Sequence, residues 1–223
     1  MRTPVPAAAL MLLLAGCSTG GGLTAELVTP VDIELSWPAD PEALQALEFA
    51  TEPAGPWTVL EFLPPGRESY HHPDLIPDTA FYYRIRPLRG AASEPVQVHL
   101  AAPGADVPAG GADESWAEPR TIAGPSPGPS GGSVGGPPTD LTATARGRDA
   151  VLFTWVDNAS GEDGQLIEVR PEGGSEWTVA MALDPDVNSV GLMALPTERR
   201  AWFRVRAFTY GESSEVAHRT TGH

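Results

Sequence analysis

The 223-residue chain contains no lysine and only one cysteine, Cys17. A single thiol excludes an internal disulfide and any cysteine-built metal cluster. All 14 basic residues are arginine, set against 29 Asp and Glu, and the formal net charge is −15. Phosphate backbones and anionic lipid headgroups repel such a chain, so nucleic acid is excluded as an expected partner. Any membrane attachment must then be covalent or hydrophobic. Helical patterning is also missing: DPEALQALEF comes nearest, and its end reads as a strand. What the chain does have is 41% hydrophobic residues, enough for packed cores, and 24 Gly with 24 Pro, which imply many turns and an unfolded segment. The length allows one medium or two small domains. Abundant Ala, Gly, Pro and Arg without Lys point to a GC-rich genome.

The one apolar run, Pro6 to Leu14, follows a short positive start at Arg2 and is too short to span a bilayer as a mature helix. It leads into Leu14-Ala15-Gly16-Cys17. An apolar residue, two small residues and a cysteine at this location resemble the lipobox of bacterial lipoproteins. The resemblance implies that residues 1–16 are a signal peptide cut before Cys17, that the Cys17 thiol carries a diacylglycerol, and that the new amino terminus is acylated, with palmitate-type chains. Several acyl chains, at about 0.8 kcal/mol per buried CH₂, hold a protein on a membrane durably. Ser18, rather than Asp, after the cysteine resembles an outer-membrane address in a Gram-negative host. Residues 17–24 read as a glycine-rich tether.

Beyond the tether the chain repeats itself. IELSW, GPWTVL and FYYRIR return as VLFTW, SEWTVA and WFRVR, and the Trp57-to-Arg84 spacing equals the Trp177-to-Arg204 spacing. Arg84 to Ser93 likewise matches Arg204 to Ser213. Two copies of one unit follow. Their segments alternate with period two, and turn clusters such as DNASGEDG and PEGGSE separate them, the pattern of an antiparallel sandwich. LSW followed by Leu75-Ile76-Pro77-Asp78-Thr79-Ala80-Phe81-Tyr82-Tyr83-Arg84-Ile85-Arg86 resembles a fibronectin type III domain. Asp78 stands for the family's Gly and Phe81 for its corner Tyr. In the second copy Leu195 is in place, Thr197 replaces Pro and Ala201 replaces Tyr. The resemblance implies an all-β protein of two seven-stranded immunoglobulin-like sandwiches, over residues 25–101 and 137–219. The Pro/Gly/Ser-rich stretch 102–136 between them reads as a disordered linker, with Trp116 as its one docking candidate.

Period two sends Phe81, Tyr83 and Ile85 inward, with Ala201, Phe203 and Val205 their counterparts. Tyr82, Arg84 and Arg86, and likewise Trp202, Arg204 and Arg206, then face outward, with Glu48 and Glu168 beside them on the neighbouring strand. Such a stripe is either cross-strand pairing of Arg with Glu and an aromatic ring, or a binding face. Trp37 and Trp155 are core residues by family position, while Trp57 and Trp177 half-cover a sheet edge.

Other motifs fail. Gly-x-Ser-x-Gly occurs at Gly128–Gly132 and Gly131–Gly135, but within a glycine-rich linker rather than on a strand-to-helix turn. Asp184, Asp186 and Asn188 begin like a calcium loop, yet Ser189 and Leu195 stand where Gly and Glu are required, which leaves a weak surface calcium site as the alternative to none. His71 and His72 point to opposite faces of a strand. No nucleophile has a base and an orienting group. The expectation is a lipid-anchored, non-catalytic envelope protein whose modules bind protein or polysaccharide, or else a passive spacer, with no cofactor or metal. Its membrane contact is the lipid on Cys17.

Overall fold

The computed structural model describes residues 22–101, 115–122 and 135–223. Leu14, Ala15, Gly16 and Cys17 lie outside the described residues, as do most of the linker and both Gly-x-Ser-x-Gly matches except Gly135. The fold is all-β. The first unit comprises β1 (Thr24–Thr29), β2 (Asp32–Ser36), β3 (Gln45–Ala50), β4 (Thr58–Leu63), β5 (Ser69–His72), β6 (Ala80–Arg89) and β7 (Val96–His99). The second comprises β8 (Thr139–Ala145), β9 (Ala150–Val156), β10 (Gly164–Pro171), β11 (Thr178–Leu183), β12 (Ser189–Met193), β13 (Arg200–Tyr210) and β14 (Ala217–Thr220). In each unit a three-stranded sheet, β1-β2-β5 or β12-β9-β8, packs on a second sheet built from the third, fourth and sixth strands. This is the two-sheet arrangement expected of a fibronectin type III sandwich.

Alternation builds the two cores as read from the sequence. Phe81, Tyr83 and Ile85 are buried with Ile33, Leu35, Leu47 and Trp37; Phe203, Val205 and Ala201 are buried with Phe153, Ile167 and Trp155. Asp78 adopts φ 51°, the left-handed conformation for which the family uses Gly. Leu195 departs from the expectation. Leu75 is buried in the first core, whereas Leu195 is 59% exposed. A 3₁₀ turn at Pro196–Glu198 precedes β13, and the buried Glu198 folds back to accept the Leu195 N–H at 2.8 Å, leaving the leucine side chain outside.

The last strand of each unit is exchanged. β7 pairs antiparallel with β13 of the second unit, Ala201 opposite Val98, and Val98 and Leu100 enter the second core. β14 returns to the first unit and pairs with β6, Arg219 opposite Phe81. Glycines mark both departures. Gly90 has φ 141°, and a Cβ there would lie 2.0 Å from the Ala207 carbonyl oxygen; at Gly211 it would lie 2.8 Å from Pro87. A serine then secures each crossing. Ser93 N–H donates to the Val205 carbonyl at 2.7 Å while Val205 N–H donates to Ser93 Oγ at 3.1 Å. Ser214 does the same with Ile85, at 2.8 and 3.0 Å. The partner of Ser93 is therefore Ser214, not the Ser213 that equal spacing suggests: the second copy has one more residue before its crossing.

Between the crossings β6 and β13 pair directly, Leu88 opposite Tyr210, and join the second sheets into one of eight strands. This sheet curls until its outermost strands, β4 and β11, touch. Its concave face encloses a third core of Leu44, Ala46, Leu88, Leu166 and Phe208, with Phe62 edge-on to Phe208 at 6.2 Å. Trp116 does dock. The segment 115–122 crosses the second unit, Arg120 bridges to Ser189, and Trp116 with Ala117 covers Gly191, where a Cβ would meet the indole at 2.5 Å.

Two predictions follow from this packing. Deleting residues 217–223 should strip amide protection from β6 in the first unit and leave β13 protected in hydrogen–deuterium exchange. Loss at β13 instead would refute the exchange. The second concerns His72, which is half-buried among Phe49, Phe81 and Tyr83, with Nδ1 3.0 Å from the Tyr83 hydroxyl. Burial, aided by neighbouring His71, lowers its pKa below the ordinary 6.5. A base depressed in the folded state contributes stability above its unfolded pKa and loses it as pH falls through the folded value. Urea unfolding from pH 7 toward pH 4.5 should therefore show a steeper loss for wild type than for His72→Gln.

Candidate functional site

The concave face of the eight-stranded sheet carries both guanidinium stripes. Cross-strand register sets Glu48 opposite Arg84 and Glu168 opposite Arg204. Both carboxylates, expected at the surface, are buried, at 5% and 2% exposure. The curl of the sheet turns these faces toward each other, so the polar side of each sandwich becomes an interior. Arg84 Nε donates to Glu48 at 2.5 Å, and Arg86 lies 4.0 Å from the same carboxylate. Glu168 receives Arg204 Nε at 2.8 Å and Arg206 Nε at 3.2 Å.

Aromatic rings cap the guanidinium groups. Arg84 lies 4.3 Å from the centre of Trp57 and Arg204 lies 4.2 Å from the centre of Trp177, with Arg170 at 4.8 Å from the same ring. Arg86 crosses between units to stack on Tyr210 at 3.9 Å. Backbone contacts complete the near-symmetry: Arg206 donates to the Gly90 carbonyl at 2.5 Å, Arg86 to that of Gly211 at 3.4 Å. The cross-strand pairing of Arg with Glu and an aromatic ring is thus what the structure contains. Tyr82 stacks on His218 of the exchanged β14 at 5.7 Å, and Trp202 lies opposite Gln97 of the exchanged β7; both are half-buried.

A groove of about 350 Å³ opens beside the Glu168 cluster. One wall is Leu44, Pro64 and Leu88 of the first unit; the other is Trp177, Arg204 and Arg206 of the second. It exists only because the units are joined. The sequence named Arg204 and Arg206 but gave no sign of the opposite wall, which comes from the other copy. The groove sets an apolar wall against guanidinium groups that are paired with Glu168.

The remaining expected residues separate. His71 turns out toward Glu34 and His72 inward. Asn188 is buried and clamps Ile122 through both amide atoms. Asp186 has φ 62° and lies beside Asp157 and Glu162 rather than with Asn188. Burial raises the Asp157 pKa above its ordinary value; hydrogen bonds from the Ala159 N–H and the Gln165 side chain oppose this, and the Glu162 and Asp186 charges add to it.

Removing one partner of a buried charge pair strands the other and costs about 3–5 kcal/mol when both are fully desolvated. The arginines here keep some water contact, with Arg204 and Arg206 side chains 23% and 18% exposed. Glu168→Gln should therefore cost about 2–3 kcal/mol in urea unfolding. Glu48→Gln should cost less, because Arg86 stands farther from its carboxylate.

Neither a family profile nor a curated protein matches the chain. Among solved structures it is similar to a segment of two fibronectin type III domains from chicken tenascin, at 16% identity over 88% of this chain and 97% of that one, with a TM-score of 0.30. It is also similar to the FN1–FN3 domains of chicken CNTN1, at 13% identity over 91% of this chain and 66% of that one, with a TM-score of 0.28. By its own strand pairing, the chain is an all-β pair of immunoglobulin-like sandwiches, in the strand arrangement of the fibronectin type III fold, that exchange their last strands.

Proposed function

We propose that this protein is a lipid-anchored, non-catalytic binding module of the bacterial cell envelope, placed on the outer membrane if the host is Gram-negative. The anchor reading rests on Leu14-Ala15-Gly16-Cys17 behind a short apolar run. The binding reading rests on the groove shared by both units, whose walls pair apolar surface with Arg204 and Arg206. Its partner is a protein or polysaccharide segment that is not strongly anionic, because the chain carries a net charge of −15.

A second reading, a passive spacer or accessory subunit, draws support from the ion-pair clusters. Their guanidinium groups are already matched by Glu48 and Glu168 and stacked on rings, so their first role is to hold the units together.

The test combines anchor and groove. Intact mass of membrane-extracted protein should show a lipid-sized increase on a chain starting at Cys17, lost in Cys17→Ser. A photo-crosslinker at the exposed groove residue Ser175 should give a discrete adduct in the envelope, with none from the same group at His71. An unlipidated mature chain would refute the anchor. An adduct-free Ser175 position would leave the spacer reading.

A further inference from the structure

We propose that the second unit binds a calcium ion between its β9–β10 and β11–β12 loops, with Asp157, Glu162 and Asp186 as carboxylate ligands and the side-chain oxygen of Gln165 as a fourth. The three carboxylates come from two loops that neither copy's motif connects, and one oxygen from each lies within 4.8 Å of the others. Calcium–oxygen bonds are about 2.3–2.6 Å, so side-chain shifts of a few tenths of an ångström let one ion reach all three. None of the three forms an ion pair with an Arg or His among the described residues.

Polar groups without partners point into the same place. Glu162 is 6% exposed; its Oε1 accepts the Asp186 N–H at 3.0 Å, while Oε2 is buried with no donor. Gln165 is fully buried, its amide N–H is close enough to Asp157 to donate to that carboxylate, and its Oε1 makes no hydrogen bond among the described residues. Buried polar groups are ordinarily satisfied, and unmatched buried oxygens on and beside a carboxylate cluster are what a hard cation would satisfy. The all-oxygen donor set excludes a preference for soft metals. Its spread suits calcium better than magnesium, which demands a tighter octahedron.

The first unit supplies an internal comparison. Its corresponding loop position is Gly66, also at positive φ, so the third carboxylate is missing there. Glu42, in place of Glu162, is exposed; Asp40 accepts the Glu42 and Ala43 N–H groups at 3.0 Å each through one oxygen, as Asp157 accepts the Ala159 N–H. Among the described residues, only the second copy brings three carboxylates together. Asp186→Gly recreates the first copy's residue in a conformation that glycine adopts freely, and so removes the ligand without a folding cost.

The experiment titrates CaCl₂ into chelator-stripped full-length mature protein at pH 7.5, by calorimetry and by thermal unfolding. One site per chain is expected, with Kd on the order of 10⁻⁴–10⁻³ M, the range of extracellular calcium modules, and a rise in Tm. Asp186→Gly should weaken binding roughly tenfold or more and abolish the Tm response, while its calcium-free Tm is no lower than that of wild type. Absence of heat and of a Tm shift in wild type at millimolar calcium would overturn the proposal. So would an undiminished response in Asp186→Gly, which would assign the heat to the acidic surface at large.

Discussion

The free edges of β6 and β13 govern this molecule. A strand edge exposes a row of N–H and C=O groups that must be paired, covered or solvated. Each of these strands finds partners in three successive pieces: the other unit's last strand, a serine at the crossing, and the far end of its counterpart. Because each unit's edge is closed by the other's chain, neither sandwich is complete alone. The curled eight-stranded sheet, the third core and the shared groove all follow from that reciprocity.

Curling the sheet changes the meaning of its polar face. A stripe of Arg, Glu and Trp on a half-exposed sheet is worth little, since exposed ion pairs contribute about 0–1 kcal/mol. Folded inward beside Leu44, Leu166 and Phe208, the same residues become a buried network in which every carboxylate oxygen matters. Trp57 and Trp177 shield the guanidinium groups from water and strengthen that network. The interface is thereby specified by matched charge as well as by apolar area.

Much of the fold was legible in the chain because short-range physics determined it. Period-two alternation placed Phe81, Tyr83, Phe203 and Val205 inward, and the matched tryptophan and arginine spacings exposed the duplication. The exchange was not legible, because β7 and β14 each alternate equally well against either sixth strand. Only Gly90 and Gly211, with Ser93 and Ser214 behind them, carry its signal, and a Gly followed by a Ser reads as any surface turn. Burial of Glu48 and Glu168 was hidden for the same reason: their strands are amphipathic, and a second amphipathic face covers them. The acidic cluster was seen only in part. Asp186 stood out by its spacing from Asp184, whereas Asp157 and Glu162 join it from a loop distant in sequence.

The near two-fold relation between the crossings also speaks to ancestry and assembly. Two copies of a single sandwich that traded last strands would form a closed, isologous pair with this same geometry. Here one continuous chain supplies both halves, and the connection from His99 to Thr139 makes the encounter intramolecular. The protein is in effect a dimer written as a monomer: its association cannot be diluted away, its two halves are free to diverge, and one carries the carboxylate of Asp186 where the other has Gly66.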